Sequence, residues 1–169
     1  MNFLLRSACS LARLELHDTG VQVNEFIDCL QHKSVRGITE LVVHDSCDWM
    51  WDPVITPQLV QLLTLMRGGN DLNTSCLLPA LKALDLGLGK SCWACSNDSL
   101  SKMTESRWQA ANSVARLEHV HLDLHLLADK SGPDHLRLEK LREGSGLSTN
   151  ASSYSTNPGP STQFHLQRP

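Results

Sequence analysis

The sequence predicts an α/β fold in which parallel strands stack side by side as a ladder and helices cover one side of it. The first observation behind this prediction is a pattern of apolar residues with the spacing LxxLxL, found at residues 11–16, 38–43, 81–86 and 117–122. The second is that an amphipathic segment follows the pattern, so each unit has an apolar face that it cannot cover alone. Stacked units bury such faces against one another, as short, irregular leucine-rich-repeat solenoids do with their helices on the convex side.

The first two units contain clear strand and helix signals. Residues 11–17 alternate between apolar and polar, which is typical of a half-buried strand. Apolar residues then recur at helical spacing over residues 23–30, which predicts a helix of about ten residues. The second unit has a strand over 39–44 and a helix that begins at Thr56 and Pro57, an N-cap residue followed by a residue suited to the first helical position.

The third and fourth units follow the same order. We expect a strand over 81–86 and then a helix that places Trp108 in the core and exposes residues 102–107 as a solvated, charged face. The fourth strand is predicted over 116–125, which would make it the longest, and a last helix begins near Pro133. We therefore predict a repeat domain over residues 1–143.

The composition changes at the carboxyl end of the chain. Ser, Thr, Asn, Gly and Pro dominate residues 144–169. A segment of this composition buries too little apolar area to offset the entropy lost on ordering. We expect residues 144–169 to be a disordered tail.

Charge and hydropathy exclude two classes of partner. The formal net charge is -3 and the pI about 6.2, whereas a general nucleic-acid binder needs a basic face. No apolar run approaches the roughly 20 residues that cross a bilayer. The six cysteines come without a secretory signal, which favours reduced thiols and a cytoplasmic or nuclear protein.

The polar positions of the strands are the candidate binding residues. In a ladder of half-buried strands they form a stripe on the concave side, the surface on which leucine-rich solenoids hold a partner. The alternative is that each is merely a solvated strand residue. The loop tryptophans are aromatic candidates of the kind that often dominate binding, unless they fold back over the edge of the solenoid. The candidates are Arg13, Glu15, Glu40, His44, Asp85, His119, His121 and Asp123 on the strands, with Trp49 and Trp51 in a loop.

A resemblance to a known family supports a binding role. The segments that carry it are residues 41–46 with the tryptophan loop and 55–64, residues 76–86, and residues 100–108. Together they resemble the leucine-rich region of F-box proteins, most of all the large fungal sets, over about residues 8–143. In that family an F-box docks on a cullin-ligase adaptor and the repeats recruit the protein to be ubiquitylated. No F-box pattern precedes the first repeat, so the resemblance implies substrate recognition and leaves adaptor binding in doubt.

Two motifs approach the spacing of catalytic sites. The polar residues of the strand from His119 to His125 project from one face and approach a metallo-hydrolase signature, but Leu124 separates Asp123 from His125. Cys92 and Cys95 have redox spacing without the flanking strand and helix that a thioredoxin-like site needs. We therefore expect no catalytic residue, no metal and no cofactor.

The sequence favours a non-catalytic protein-binding module, similar to the substrate-recognition part of an F-box ubiquitin-ligase subunit. Its partner would be a protein. Two alternatives remain open: a small metal-dependent hydrolase centred on the strand from His119, and a truncated fragment without a stable function.

Overall fold

The computed structural model describes residues 10–45, 53–65, 77–88, 98–110, 114–124, 133–144 and 162–167. These residues form a mixed α/β fold around a five-stranded sheet in the order β1-β2-β3-β4-β5. The strands are Arg13–His17 (β1), Glu40–Asp45 (β2), Ala83–Leu88 (β3), His119–Leu124 (β4) and Thr162–Gln167 (β5). The helices are Val23–Gln31 (α1), Pro57–Leu63 (α2), Ser99–Trp108 (α3) and Pro133–Gly144 (α4), and a 3₁₀ turn spans Lys33–Val35.

The sequence repeat is matched by the register of the sheet. Strands β1 to β4 are parallel, and each pairs with the next one along the chain. The corresponding apolar positions of the repeat lie opposite one another in two rows, Leu14, Leu41, Leu84 and Val120 in the first and Leu16, Val43, Leu86 and Leu122 in the second. The prediction of a four-stranded parallel ladder is therefore confirmed.

A repeated backbone joint sets this register. At the start of each of the first three repeats, one carbonyl oxygen accepts two N–H donors from the next repeat. Ala12 accepts from Thr39 at 2.8 Å and Glu40 at 3.1 Å, Thr39 accepts from Lys82 and Ala83, and Lys82 accepts from Glu118 and His119. Because the joint has the same geometry each time, every strand begins level with the one before it.

The strands begin one to three residues later than predicted. The first apolar residues of the later repeats, Ile38, Leu81 and Leu117, are fully buried ahead of the strands rather than in them. They pack into the core from the residues just before each strand. The fourth strand is also not the longest, since β2, β3 and β4 each have six residues.

The core lies on one face of the sheet, under the helices. Side chains of α1, α2 and α3, including Phe26, Leu59 and Met103, join the buried strand residues Leu41 and Leu84 in a single cluster. Each such side chain contributes about 1.5–3 kcal/mol when fully buried. The predicted start of α2 is confirmed, because the hydroxyl of its N-cap threonine accepts the N–H of Leu59 at 3.3 Å and proline follows at the first position. None of the described helices, which have seven to twelve residues, is long and apolar enough to cross a membrane.

Helix α3 differs from the prediction of a solvated face over residues 102–107. Thr104 and Arg107 are fully buried. The Arg107 guanidinium donates to the backbone carbonyls of Leu63, Leu77 and Leu78. It thereby ties α3 to the last residue of α2 and to the turn before β3, where Leu78 has a positive φ of 55°. Trp108 is buried, as predicted.

Strand β5 lies within the segment predicted to be a disordered tail. Residues 162–167 pair antiparallel with β4, with Leu166 opposite Val120 and Phe164 opposite Leu122. The prediction does not hold for these six residues, because their polar and apolar residues alternate with the period of a strand. The pairing also provides partners for backbone groups that an edge strand would leave open. The rest of the predicted tail beyond Gly144 lies outside the described residues.

Candidate functional site

The second face of the parallel sheet carries polar side chains in three rows that run across the strands. The rows are Arg13–Glu40–Ala83–His119, Glu15–Val42–Asp85–His121 and His17–His44–Gly87–Asp123. We call this surface the polar face and restrict it to residues 13, 15, 17, 40, 42, 44, 83, 85, 87, 119 and 121. The helix side chains buried in the core belong to the opposite face.

The structure brings most of the predicted candidates together. Arg13, Glu15, Glu40, His44, Asp85, His119 and His121 all lie on the polar face. Asp123 occupies the third row by its backbone, and its side chain lies outside the described part of the structure. Trp49 and Trp51 also lie outside the described residues.

A cluster of two histidines and one aspartate lies at the centre of the polar face. His44 Nε2 on β2 and His121 Nδ1 on β4 both lie within hydrogen-bond distance of Asp85 Oδ1 on β3, at 3.0 and 2.9 Å. The three side chains are between 30% and 37% exposed, so solvent reaches them. Three adjacent strands thus converge on a single carboxylate oxygen.

The histidines stabilise the ionised form of this carboxylate. Burial of Asp85 acts to raise its pKa, but hydrogen bonds from His121 and His44 lower it by more, so the pKa of Asp85 lies well below its ordinary value of 3.8. Because an ionised carboxylate only accepts hydrogen bonds, Nε2 of His44 and Nδ1 of His121 carry the protons. Asp85 is therefore ionised throughout the physiological pH range.

A second charged cluster lies beside the first one. Arg13 contacts Glu15 at 2.8 Å and Glu40 at 3.2 Å, and His17 Nε2 lies 2.6 Å from Glu15. Hydrogen bonds from His17 and from Arg13 hold the pKa of Glu15 below its ordinary value. The rings of His17 and His44 meet edge to face with centroids 4.7 Å apart, and this contact joins the two clusters.

Gly87 is a site residue that the sequence analysis missed. It lies opposite His44 in the third row. A Cβ at position 87 would come within 3.0 Å of His44 Cδ2 and 3.1 Å of its Cγ. Glycine therefore leaves space for the imidazole that reaches Asp85. The sequence shows only a glycine near the end of a leucine-rich strand. That it lies opposite His44 follows from the register of the sheet.

The arrangement is suited to recognition by charge and hydrogen bonds. Within the described residues, no group of three or more His, Cys, Asp or Glu side chains is placed to hold a metal ion. Both imidazoles of the central cluster instead approach one oxygen of Asp85. The polar face thus presents carboxylates, imidazoles and a guanidinium that contact one another on adjacent strands.

Of the six cysteines, Cys29 is the one that lies within the described residues. Cys92 and Cys95 lie outside the described residues. Cys29 in α1 is a free, partly buried thiol. Burial raises its pKa, which disfavours the reactive thiolate.

Comparisons with known proteins add no identity. No protein-family model matches the chain, and no curated protein or solved structure matches it either.

Proposed function

We propose that this chain is a non-catalytic protein-binding module and that its polar face holds the partner. The observation that carries the proposal is the accessible charged array on three consecutive strands, centred on Asp85 between His44 and His121. Strands fix the spacing of these groups, so a partner meets a surface whose order is already established. Pre-ordered polar groups recognise partners at a smaller entropic cost than groups that must first be ordered.

The architecture favours a leucine-rich-repeat solenoid. The parallel strands follow one another in chain order, and the described helices between them bury their apolar side chains on a single face of the sheet. A doubly wound sheet would place helices on both faces. In a solenoid the strand face opposite the helices is the concave, partner-binding surface. The polar face corresponds to that surface.

The resemblance to F-box proteins indicates a cellular process in which the chain would bind its partner. By that resemblance the chain would select proteins for ubiquitylation, as the repeats of fungal F-box subunits do. Association with a cullin-ligase adaptor would require a docking element outside the repeats. We therefore limit the proposed activity of this chain to selecting a protein partner, through charged side chains such as Glu40 and Asp85.

Affinity capture from the native cell tests this proposal with matched variants. The tagged full chain is compared with the double variant Glu40→Gln/Asp85→Asn and with the control Glu25→Gln/Glu143→Gln. The control removes the same charge from exposed residues of α1 and α4. We expect quantitative mass spectrometry to show a partner that the polar-face variant loses and the control keeps.

Binding of that purified partner is then measured by calorimetry. Equal capture of all proteins by the wild type and the polar-face variant would contradict the proposal. Recovery of the cullin adaptor among the specific proteins would add ligase membership, whereas a specific partner without the adaptor would leave the chain as a free-standing binder.

A further inference from the structure

We propose that the backbone edge of β4 that faces away from β3 is a docking site for an extended segment of a partner protein, and that β5 occupies this site within the chain. The inference goes beyond the polar face, because it concerns the edge of the sheet and a different means of binding. It follows from the direction of β5, from its match to β4 and from its separation from the repeats along the chain.

The repeat ladder ends at β4, and β5 covers the edge that remains. The LxxLxL spacing occurs four times, ends at residue 122 and accompanies the parallel strands β1 to β4. Strand β5 lacks this spacing and pairs with β4 in the antiparallel direction. The edge of a strand pairs through its backbone groups, so it accepts an extended segment of any origin. Strand β5 is therefore an added strand and not a fifth repeat.

The sequence of β5 matches the edge of β4 position by position. Leu166 and Phe164 lie opposite Val120 and Leu122, which are fully buried, and so continue the two apolar rows of the sheet. Polar residues alternate with them and lie opposite polar residues of β4, with 163, 165 and 167 opposite 123, 121 and 119. Residues directly opposite each other share one face of a sheet. The site therefore fits an extended segment in which two apolar residues are separated by one polar residue.

The position of β5 in the chain makes it an exchangeable occupant. Residues 145–161, which are mostly Ser, Thr, Asn, Gly and Pro, separate it from α4. A tethered segment competes at an effective concentration of about 1 mM. If a free and a tethered segment share an intrinsic Kd of about 0.1 mM, the tethered one raises the apparent Kd of the free one about tenfold. A partner segment that binds more tightly than β5 displaces it, and its backbone then pairs with β4 by strand addition.

A labelled peptide with the sequence of residues 162–167 tests the inference. Fluorescence anisotropy measures its Kd with the full chain and with the full-length variant Phe164→Asp/Leu166→Asp, whose two charges disfavour the pairing of β5. We expect this variant to bind the peptide about tenfold more tightly than the wild type does. The control Ser153→Asp/Ser155→Asp adds the same charges at the same spacing ahead of β5 and should bind like the wild type. Equal Kd values for all three chains would overturn the inference.

Hydrogen exchange of the unaltered chain tests the same point without a variant. The amides of residues 162–167 should exchange sooner than those of residues 83–88 in β3, because an exchangeable strand opens while the ladder stays closed. Excess peptide should speed exchange at residues 162–167 further and leave residues 119–124 protected. Protection of β5 equal to that of β3, with and without peptide, would show a fixed strand and would overturn the inference.

Two measurements identify the kind of occupant. Selection of random hexapeptides on the Phe164→Asp/Leu166→Asp variant should enrich sequences with two apolar residues separated by one polar residue. Enrichment without this alternation would contradict the chemistry assigned to the partner segment. Light scattering should show a monomeric wild type. A wild-type dimer that the variant does not form would assign the edge to a second copy of the chain and would overturn the assignment to a partner protein.

Discussion

Replacing Arg107 with methionine should destabilise the protein by about 3 kcal/mol. Methionine keeps much of the side-chain volume but removes the donors to the carbonyls of Leu63, Leu77 and Leu78. The Leu78 carbonyl keeps a second donor, the N–H of Leu81 at 3.2 Å, whereas a buried carbonyl left without any donor costs about 1–3 kcal/mol. Methionine also removes a buried charge, and burying a charge costs several kcal/mol per ion. This gain offsets part of the stability lost with the hydrogen bonds. The expected net loss is a large fraction of the roughly 5–15 kcal/mol by which domains are stable.

Urea unfolding followed by circular dichroism measures this loss. The variant's midpoint should fall while the slope of unfolding free energy against urea stays unchanged, because the same surface is exposed on unfolding. Arg107→Lys serves as the comparison, since a single ammonium keeps the charge but lacks the planar fork that reaches several carbonyls. The urea midpoint of Arg107→Lys should lie between the midpoints of the methionine variant and the wild type. A methionine variant within about 0.5 kcal/mol of the wild type would refute the role assigned to Arg107.

Three smaller changes test other parts of the structure. Thr56→Ala should cost about 1 kcal/mol in urea unfolding through loss of the α2 cap, while Thr56→Ser should cost little; equal losses would reject the capping role. Gly87→Ala should change stability by less than about 1 kcal/mol, because strand propensity offsets crowding, yet shift the His44 imidazole nitrogens in ¹⁵N NMR; an unchanged spectrum would contradict the close approach. The lowered pKa of Asp85 contributes stability that is present above about pH 4 and is lost as the pH falls further. The stability difference between wild type and Asp85→Asn should therefore be about 1 kcal/mol at neutral pH and shrink on acidification; a difference independent of pH would exclude this linkage.

The parts of the fold that local spacing encodes could be predicted from the sequence. The LxxLxL repeat specified which residues share a row, because alternation and equal register follow from the geometry of parallel strands. Spacing alone therefore predicted that Glu40, Asp85 and His121 share one face. The same reasoning placed the strand starts one to three residues too early, since in three of the four repeats it counted the first apolar residue as part of the strand. In the later repeats that residue, Ile38, Leu81 or Leu117, is instead buried just ahead of the strand.

The features that were missed depend on distant partners. Arg107 is buried because residues 29 to 44 positions earlier supply its carbonyl acceptors, and helical periodicity alone places an arginine in solvent. The importance of Gly87 depends on the neighbouring His44, 43 positions away, through the register. Strand β5 was not predicted because the composition of residues 144–169 as a whole is typical of a disordered segment. Within it, residues 162–167 alternate like a strand.

Site-specific photo-crosslinking tests most directly whether the polar face holds the partner. A benzophenone amino acid is placed at His17 or His119 on that face, and at Gln58 or Lys102 on the helices; all four positions are exposed. After irradiation in the native cell, we expect crosslinks to a specific protein from His17 and His119 and none from the helical positions. Crosslinks that come from Gln58 and Lys102 instead would show that the helical side binds the partner and would contradict the account.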